Sequence, residues 1–176
     1  MRLFVAIDLP EDVKHYLREL QKRLWEFAGA KMSLTSDFHM TLKFLGECDE
    51  KLVPQIESAL EQVKFQAFKV QLGEFGTFGG ANTSVFWVSL AVPTWLFDTV
   101  NQMEDKMAQL GIPKENKFVP HVTLARAKSF NPTVEKMREL KSLSIKPLGF
   151  TVSQFHLFKS ELSTHGAIHT KLRSFS

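Results

Sequence analysis

At 176 residues the chain has the length of one domain, or of two small lobes that share a core. Its 44% hydrophobic and 23% charged residues can bury such a core without staples, which excludes an intrinsically disordered protein. A net charge of +3 and a pI near 9.0 are compatible with a polyanionic partner without requiring one, and a single cysteine, Cys48, excludes an intramolecular disulfide, a CxxC redox motif and a cysteine-rich metal site.

The chain starts Met1-Arg2-Leu3-Phe4-Val5-Ala6-Ile7-Asp8, an apolar run too short for a signal peptide, and no stretch approaches the roughly 20 apolar residues of a membrane helix. The expectation is a cytoplasmic protein in a reducing setting, with no membrane association. Leu3 to Ile7 reads as a strand by its β-branched and aromatic content. After Pro10, Val13, Tyr16, Leu17, Leu20 and Leu24 recur at helical spacing and predict a helix with one face on a sheet. Phe38-His39-Met40-Thr41-Leu42 comes next as a second strand. Leu52, Ile56, Leu60 and Val63 mark a shorter helix, with Pro54 in its first turn. Phe68 to Leu72 reads as a strand leading into Phe75 and Phe78. The stretch 73–84, with four glycines, Asn82 and Thr83, is the predicted connection between halves.

The same order then recurs. Val85-Phe86-Trp87-Val88-Ser89 aligns with Leu3 to Ile7 at an offset of 82 residues, and Pro120-His121-Val122-Thr123-Leu124 aligns with the first histidine strand at the same offset. Between them Leu96, Val100, Met103, Met107 and Leu110 predict a helix; after them Val134, Met137 and Leu140 predict a shorter one. Phe150 to Ser153 aligns with the strand from Phe68, and Phe155 and Phe158 repeat the Phe-x-x-Phe. Five elements keeping one offset in order argue for a duplication, with pseudo-repeats at about 1–82 and 83–164 and a short C-terminal tail.

In a strand, residues i and i+2 share a face. His39 and Thr41 therefore point one way while Met40 and Leu42 face a core, and His121 and Thr123 do likewise against Val122 and Leu124. Twofold duplication brings both polar faces to one cleft of two imidazoles, two hydroxyls and no carboxylate. That set suffices for phosphoryl transfer, because one imidazole can take a proton from water while the other gives one to the leaving oxygen, and two hydroxyls can stabilise charge on the phosphate. A metal site would call on further His, Cys or carboxylate ligands, and none is expected on this face. His15 on the first helix and His156 in a strand-like run carry no such pattern. His165 and His169 flank Gly166 and could approach the cleft.

At these residues the sequence resembles the two-histidine (2H) phosphoesterase superfamily, and within it the RNA 2′,3′-cyclic phosphodiesterases, also called RNA 2′-5′ ligase-like proteins. The resemblance spans nearly the whole chain, and its carriers are the segments Arg2 to Pro10, His39 to Glu47 and Phe118 to Arg126. It implies an α+β, bilobal duplicated fold, with two antiparallel sheets forming a concave cleft and helices on the outer sides. One lobe would be built from both termini and the other from the middle. It also implies hydrolysis of RNA 2′,3′-cyclic phosphate ends to 2′-phosphates, in some members with reversible joining of tRNA halves through a 2′-5′ bond, while the histidine and threonine set itself calls for no metal or other cofactor. His39 would be the acid and His121 the base. Arg126 matches a family arginine that contacts phosphate; strand parity would put it opposite His121, so a bulge or strand end is expected. At the 82-residue offset the first half carries Phe44, a candidate for base stacking. Where the family commonly has a tyrosine after the C-terminal glycine, this chain has His169. Lys43, Lys117 and Lys128 surround the motifs and would guide an RNA backbone. Two other functions fit the same residues: a phosphodiesterase for 2′-5′ oligonucleotides or small cyclic nucleotide phosphates, and a non-catalytic RNA-binding module.

Overall fold

The structure is a computed structural model that describes residues 1–28, 32–80, 83–115, 117–128, 133–163 and 166–176. In chain order its elements are β1 (Arg2–Asp8), α1 (Glu11–Ala28), β2 (Met32–Leu34), β3 (His39–Glu47), a 3-10 turn (Glu50–Leu52), α2 (Val53–Glu61), β4 (Phe68–Gly80), β5 (Thr83–Ala91), α3 (Trp95–Gln109), β6 (His121–Lys128), α4 (Val134–Lys141), β7 (Gly149–Val152), β8 (Phe155–Ser163) and β9 (Gly166–Phe175). The predicted helices form where the apolar spacing put them. Val13, Leu17, Leu20 and Leu24 are buried on α1, Ile56 and Leu60 on α2, and Leu96, Val100, Met103 and Met107 on α3. Pro54 sits at the start of α2, where its missing N–H has no helical partner to lose.

The strands form two antiparallel sheets, with orders β3-β1-β8-β9 and β2-β6-β5-β4-β7. Apart from the short β2, which precedes β3, the first is built from both ends of the chain and the second from its middle, the exchange that the resemblance implied. The exchange runs through the Phe-x-x-Phe strands, for β4 pairs with β5 and β8 pairs with β1. Phe68 to Gln71 also pair antiparallel with Gly149 to Val152, which joins the two regions that align at the 82-residue offset. α1 packs on β2 and β6, and α3 packs on β3 and α2, so each long helix backs the sheet that holds one histidine motif.

β1 shows how two layers are filled. Leu3, Val5 and Ile7 enter the main core, while Phe4 and Ala6 join Phe158 in a smaller cluster on the other face, and all five are buried. A strand covered on both faces therefore reads as a continuous apolar run.

Several expectations are corrected. The stretch 73–84 holds the step from one half to the other, but all of its described residues lie within the antiparallel pair β4 and β5, and 81–82, with Asn82, are outside the described residues. The predicted C-terminal tail is β9, an edge strand of the first sheet. Between β1 and β5 the structural offset is 81, since Asp8 pairs with His39 and Ser89 with His121. Hydrophobic content alone could not separate these alignments, because β1 is apolar on both faces.

Lys43 is the largest correction. It is fully buried and donates to Glu104 on α3 at 2.6 Å and to the Pro113 carbonyl at 2.9 Å. Glu104 also accepts from the Glu115 N–H at 3.1 Å. Lys43 thus ties β3 to the segment leading into β6 and offers nothing to an RNA backbone. Breaking such a buried pair from one side costs about 3–5 kcal/mol.

Candidate active site

β3 and β6 are in contact and each begins at its histidine. The local construction is the same in both. The His39 Nδ1–H donates to the carbonyl of Asp37 at 3.1 Å, and the His121 Nδ1–H to the carbonyl of Val119 at 2.7 Å. A carbonyl only accepts, so each ring nitrogen is the donor and each Nε2 keeps a lone pair for other chemistry. Two residues on, Thr41 and Thr123 lie on the same faces as the histidines, half-buried.

Both strands then bulge at matching positions. β3 skips a residue between Thr41, which pairs with Ala6, and Lys43, which pairs with Val5; β6 skips one between Thr123, opposite Trp87, and Ala125, opposite Phe86. Each extra residue, Leu42 and Leu124, reverses the parity of the residues that follow, in β3 until a second shift at Leu45. Phe44 and Arg126 consequently join His39 and His121 on the cleft face, and both are exposed. The bulge expected from Arg126 is therefore present, and it has a twin. Phe44 lines a small cavity of about 90 Å³ with Thr41, Glu104, Glu115, Lys117 and Phe118. Lys117 stands at that cavity and Lys128 is exposed at the end of β6, two residues beyond Arg126.

The surroundings of the two histidines differ. The His39 ring lies 4.9 Å from Phe4 and 5.2 Å, edge-on, from His169. Phe4 stacks in turn on Phe158 at 5.2 Å. Burial, with the neighbouring His169 adding to it, lowers the His39 pKa to about 4, although the Asp37 carbonyl and the Asp8 carboxylate act the other way. His121 meets Phe78 edge-on at 5.1 Å and Trp87 at 6.0 Å. Its pKa is also lowered, by burial first and by the Arg126 charge, against the Val119 hydrogen bond. Phe78 pairs across to Val85 and Phe158 to Phe4, so the last phenylalanine of each Phe-x-x-Phe comes from the exchanged strand. The indole of Trp87 lies over Gly76, where a Cβ would overlap the ring.

The expectation of a cleft without carboxylates is overturned. Asp8 is the cross-strand partner of His39 and is ion-paired with Lys14 at 2.8 Å. Asp37, whose pKa burial raises against the pull of His169, stands with His39 and His169 in a group whose donor atoms all lie within 4.8 Å. Two imidazoles and a carboxylate could hold a divalent cation, and among the described residues this is the site that offers such a set. Sequence parity missed Asp37 because it precedes the strand, and missed Asp8 because only pairing of β1 with β3 reveals it. His169 does reach the site; His165 lies outside the described residues. His156 is buried and hydrogen-bonded to the Ser174 hydroxyl at 2.8 Å, and His15 is exposed on α1, as expected of residues without a catalytic pattern.

Similarity to known proteins bears on this arrangement. The family model described as LigT-like phosphoesterase matches residues 7–87 and again 89–169. Proteins named RNA 2′,3′-cyclic phosphodiesterase from Archaeoglobus fulgidus and Methanocaldococcus jannaschii are 32% and 30% identical, covering 99% of this chain and 99% and 100% of their own. A crystal structure from Thermus thermophilus matches with TM-score 0.84 at 28% identity, covering 100% of this chain and 97% of that one.

Proposed function

The chain belongs to the LigT-like phosphoesterase family, and from that premise we propose that it is an enzyme hydrolysing RNA 2′,3′-cyclic phosphate ends to 2′-phosphates by metal-independent, two-histidine acid–base catalysis. The observation that carries this reading is the matched pair of histidines, each with Nδ1–H held by the carbonyl two residues earlier and Nε2 left free. His121 Nε2 takes a proton from water as the oxygen attacks phosphorus in line with the P–O3′ bond. His39 gives its proton to O3′ as that bond breaks, leaving the phosphate on O2′. An RNA 5′-hydroxyl in place of water would form a 2′-5′ linkage by the same transfer.

Thr41 and Thr123 donate to the non-bridging oxygens, Arg126 supplies positive charge, and Phe44 stacks on a base. His39 is neutral in the free protein above about pH 4; a bound phosphate anion, added to Asp8, favours its protonated form. Substrates in this reading are RNA ends or small nucleotide phosphates. The unit is the single bilobal domain 1–176 with two pseudo-repeats, a view supported by the two family-model matches spaced 82 residues apart. A free, buried Cys48 suits the cytoplasm, and among the described residues no helix is long and apolar enough to cross a membrane.

The test is product analysis on an RNA ending in a 2′,3′-cyclic phosphate, with and without EDTA. The expected product carries a 2′-phosphate and forms equally fast in both. A 3′-phosphate product, or no product, would overturn the reaction assignment. Loss with EDTA and recovery with zinc would replace the metal-free route by one through Asp37, His39 and His169.

A further inference from the structure

The bulge that turns Arg126 into the cleft leaves Leu124 out of the β5 ladder, and its carbonyl needs another partner. It finds two. The Thr35 N–H, just beyond β2, donates to it at 2.9 Å, and the side-chain amide of Gln21 on α1 donates to it at 2.7 Å. The same Nε2 donates to the Thr35 carbonyl at 2.7 Å. Gln21 is 5% exposed, one of few buried polar residues among those described, and it stands on an apolar helix face between Leu17, Leu20 and Leu24. A glutamine there is costly to bury unless its donors are used, and here both N–H bonds go to the bulge and to the strand end that flanks it.

We infer that Gln21 is a positioning residue for substrate binding: it fixes the Leu124 bulge and thereby keeps Arg126 on the face of His121 and Thr123. The inference rests on the proposed role of Arg126 as the phosphate contact. Without the bulge, parity would carry Arg126 to the opposite face, away from His121. On the other half-site the matching bulge at Leu42 is followed by Lys43, whose ammonium is paired with Glu104 on α3.

The decisive variant is Gln21→Met, which keeps length and removes both donors. Arg126→Ala should lower kcat/KM by about 10- to 100-fold, the loss of a charge-assisted hydrogen bond. Gln21→Met should lower it about tenfold, chiefly through KM, and should do so again in a Thr41→Ala background on the other sheet. In an Arg126→Ala background it should cost less than about twofold, because the two act as one. An equal penalty in both backgrounds would show a general structural role and overturn the inference, as would no penalty at all. Should Arg126→Ala prove silent, the phosphate reading of Arg126 fails, and the crystal structure of Gln21→Met decides the rest. Arg126 shifted off its pairing with Val85 supports the positioning role; Arg126 unchanged in that register overturns it.

Discussion

The half-site on β3 and the half-site on β6 share a backbone and differ in chemistry. Each runs histidine, threonine two residues later, a bulge at the third, and a cleft-facing side chain at the fifth. In the first that last side chain is Phe44, and the histidine is hemmed in by Phe4, Phe158 and His169, with carboxylates at Asp8 and Asp37. In the second it is Arg126, and the histidine stands between Phe78 and Trp87. The difference teaches that one scaffold can be used twice when its backbone places a function and its side chains decide which. The β3 half packs rings around its histidine, and the β6 half sets a positive charge beside it.

The largest effects should come from the two histidines, where the halves must cooperate. His39→Ala and His121→Ala should each lower kcat by about 10²- to 10⁴-fold, and losing both should cost far less than the product of the single losses. The pair needs one proton. With His39 lowered to about 4 and His121 lowered from 6.5, kcat/KM should peak below pH 6.5 and fall on both sides, its limbs belonging to the pair. A profile flat from pH 5 to 9 with chemistry limiting would show that the two halves do not share this step.

A smaller effect separates the halves by stability. The folded pKa of His39 is depressed to about 4 from 6.5, so its contribution is in place above pH 6.5 and is lost as pH falls towards 4, amounting to about 3 kcal/mol. His39→Asn should abolish most of that acid sensitivity, measured as urea midpoints at pH 7 and pH 4.5. His121→Asn should abolish less, since no second imidazole contributes to the shift at His121. Equal protection by both variants would mean that the two sites are equally dry.

Much of the contrast between half-sites was legible in the sequence, because the signals involved are local. The His-x-Thr pairs sit on strands whose alternation shows their faces, and the helices carry unbroken apolar spacing. The bulge before Arg126 was legible only through the resemblance, which puts on the cleft face a residue that parity puts opposite. The features that stayed hidden depend on pairing between distant segments. Asp8 beside His39, Lys43 withdrawn onto Glu104, and the 81-residue offset of β1 and β5 arise from registers that no single strand encodes. β9 was missed because its polar, alternating run resembles a tail until β8 pairs with it. Gln21 was invisible for the same reason: its partners lie 14 and 103 residues away.

The threonines give the finest test of the asymmetry. Each would donate one hydrogen bond to a charged phosphate oxygen, an interaction of about 1.5–3 kcal/mol, so by position alone Thr41→Ala and Thr123→Ala should cost the same. Their neighbours make them unequal. Thr123 shares its face with Arg126, whose charge still holds the anion once the hydroxyl is gone, whereas Thr41 shares its face with Phe44, which brings no charge. Thr41→Ala should therefore lie near the upper end of that range in kcat/KM and Thr123→Ala near the lower end. Adding Arg126→Ala should remove the advantage, bringing the penalty of Thr123→Ala up to that of Thr41→Ala. If Thr123→Ala is instead the costlier change while Arg126 is intact, the arginine does not share the phosphate with Thr123, and the division of labour between the two half-sites is wrong.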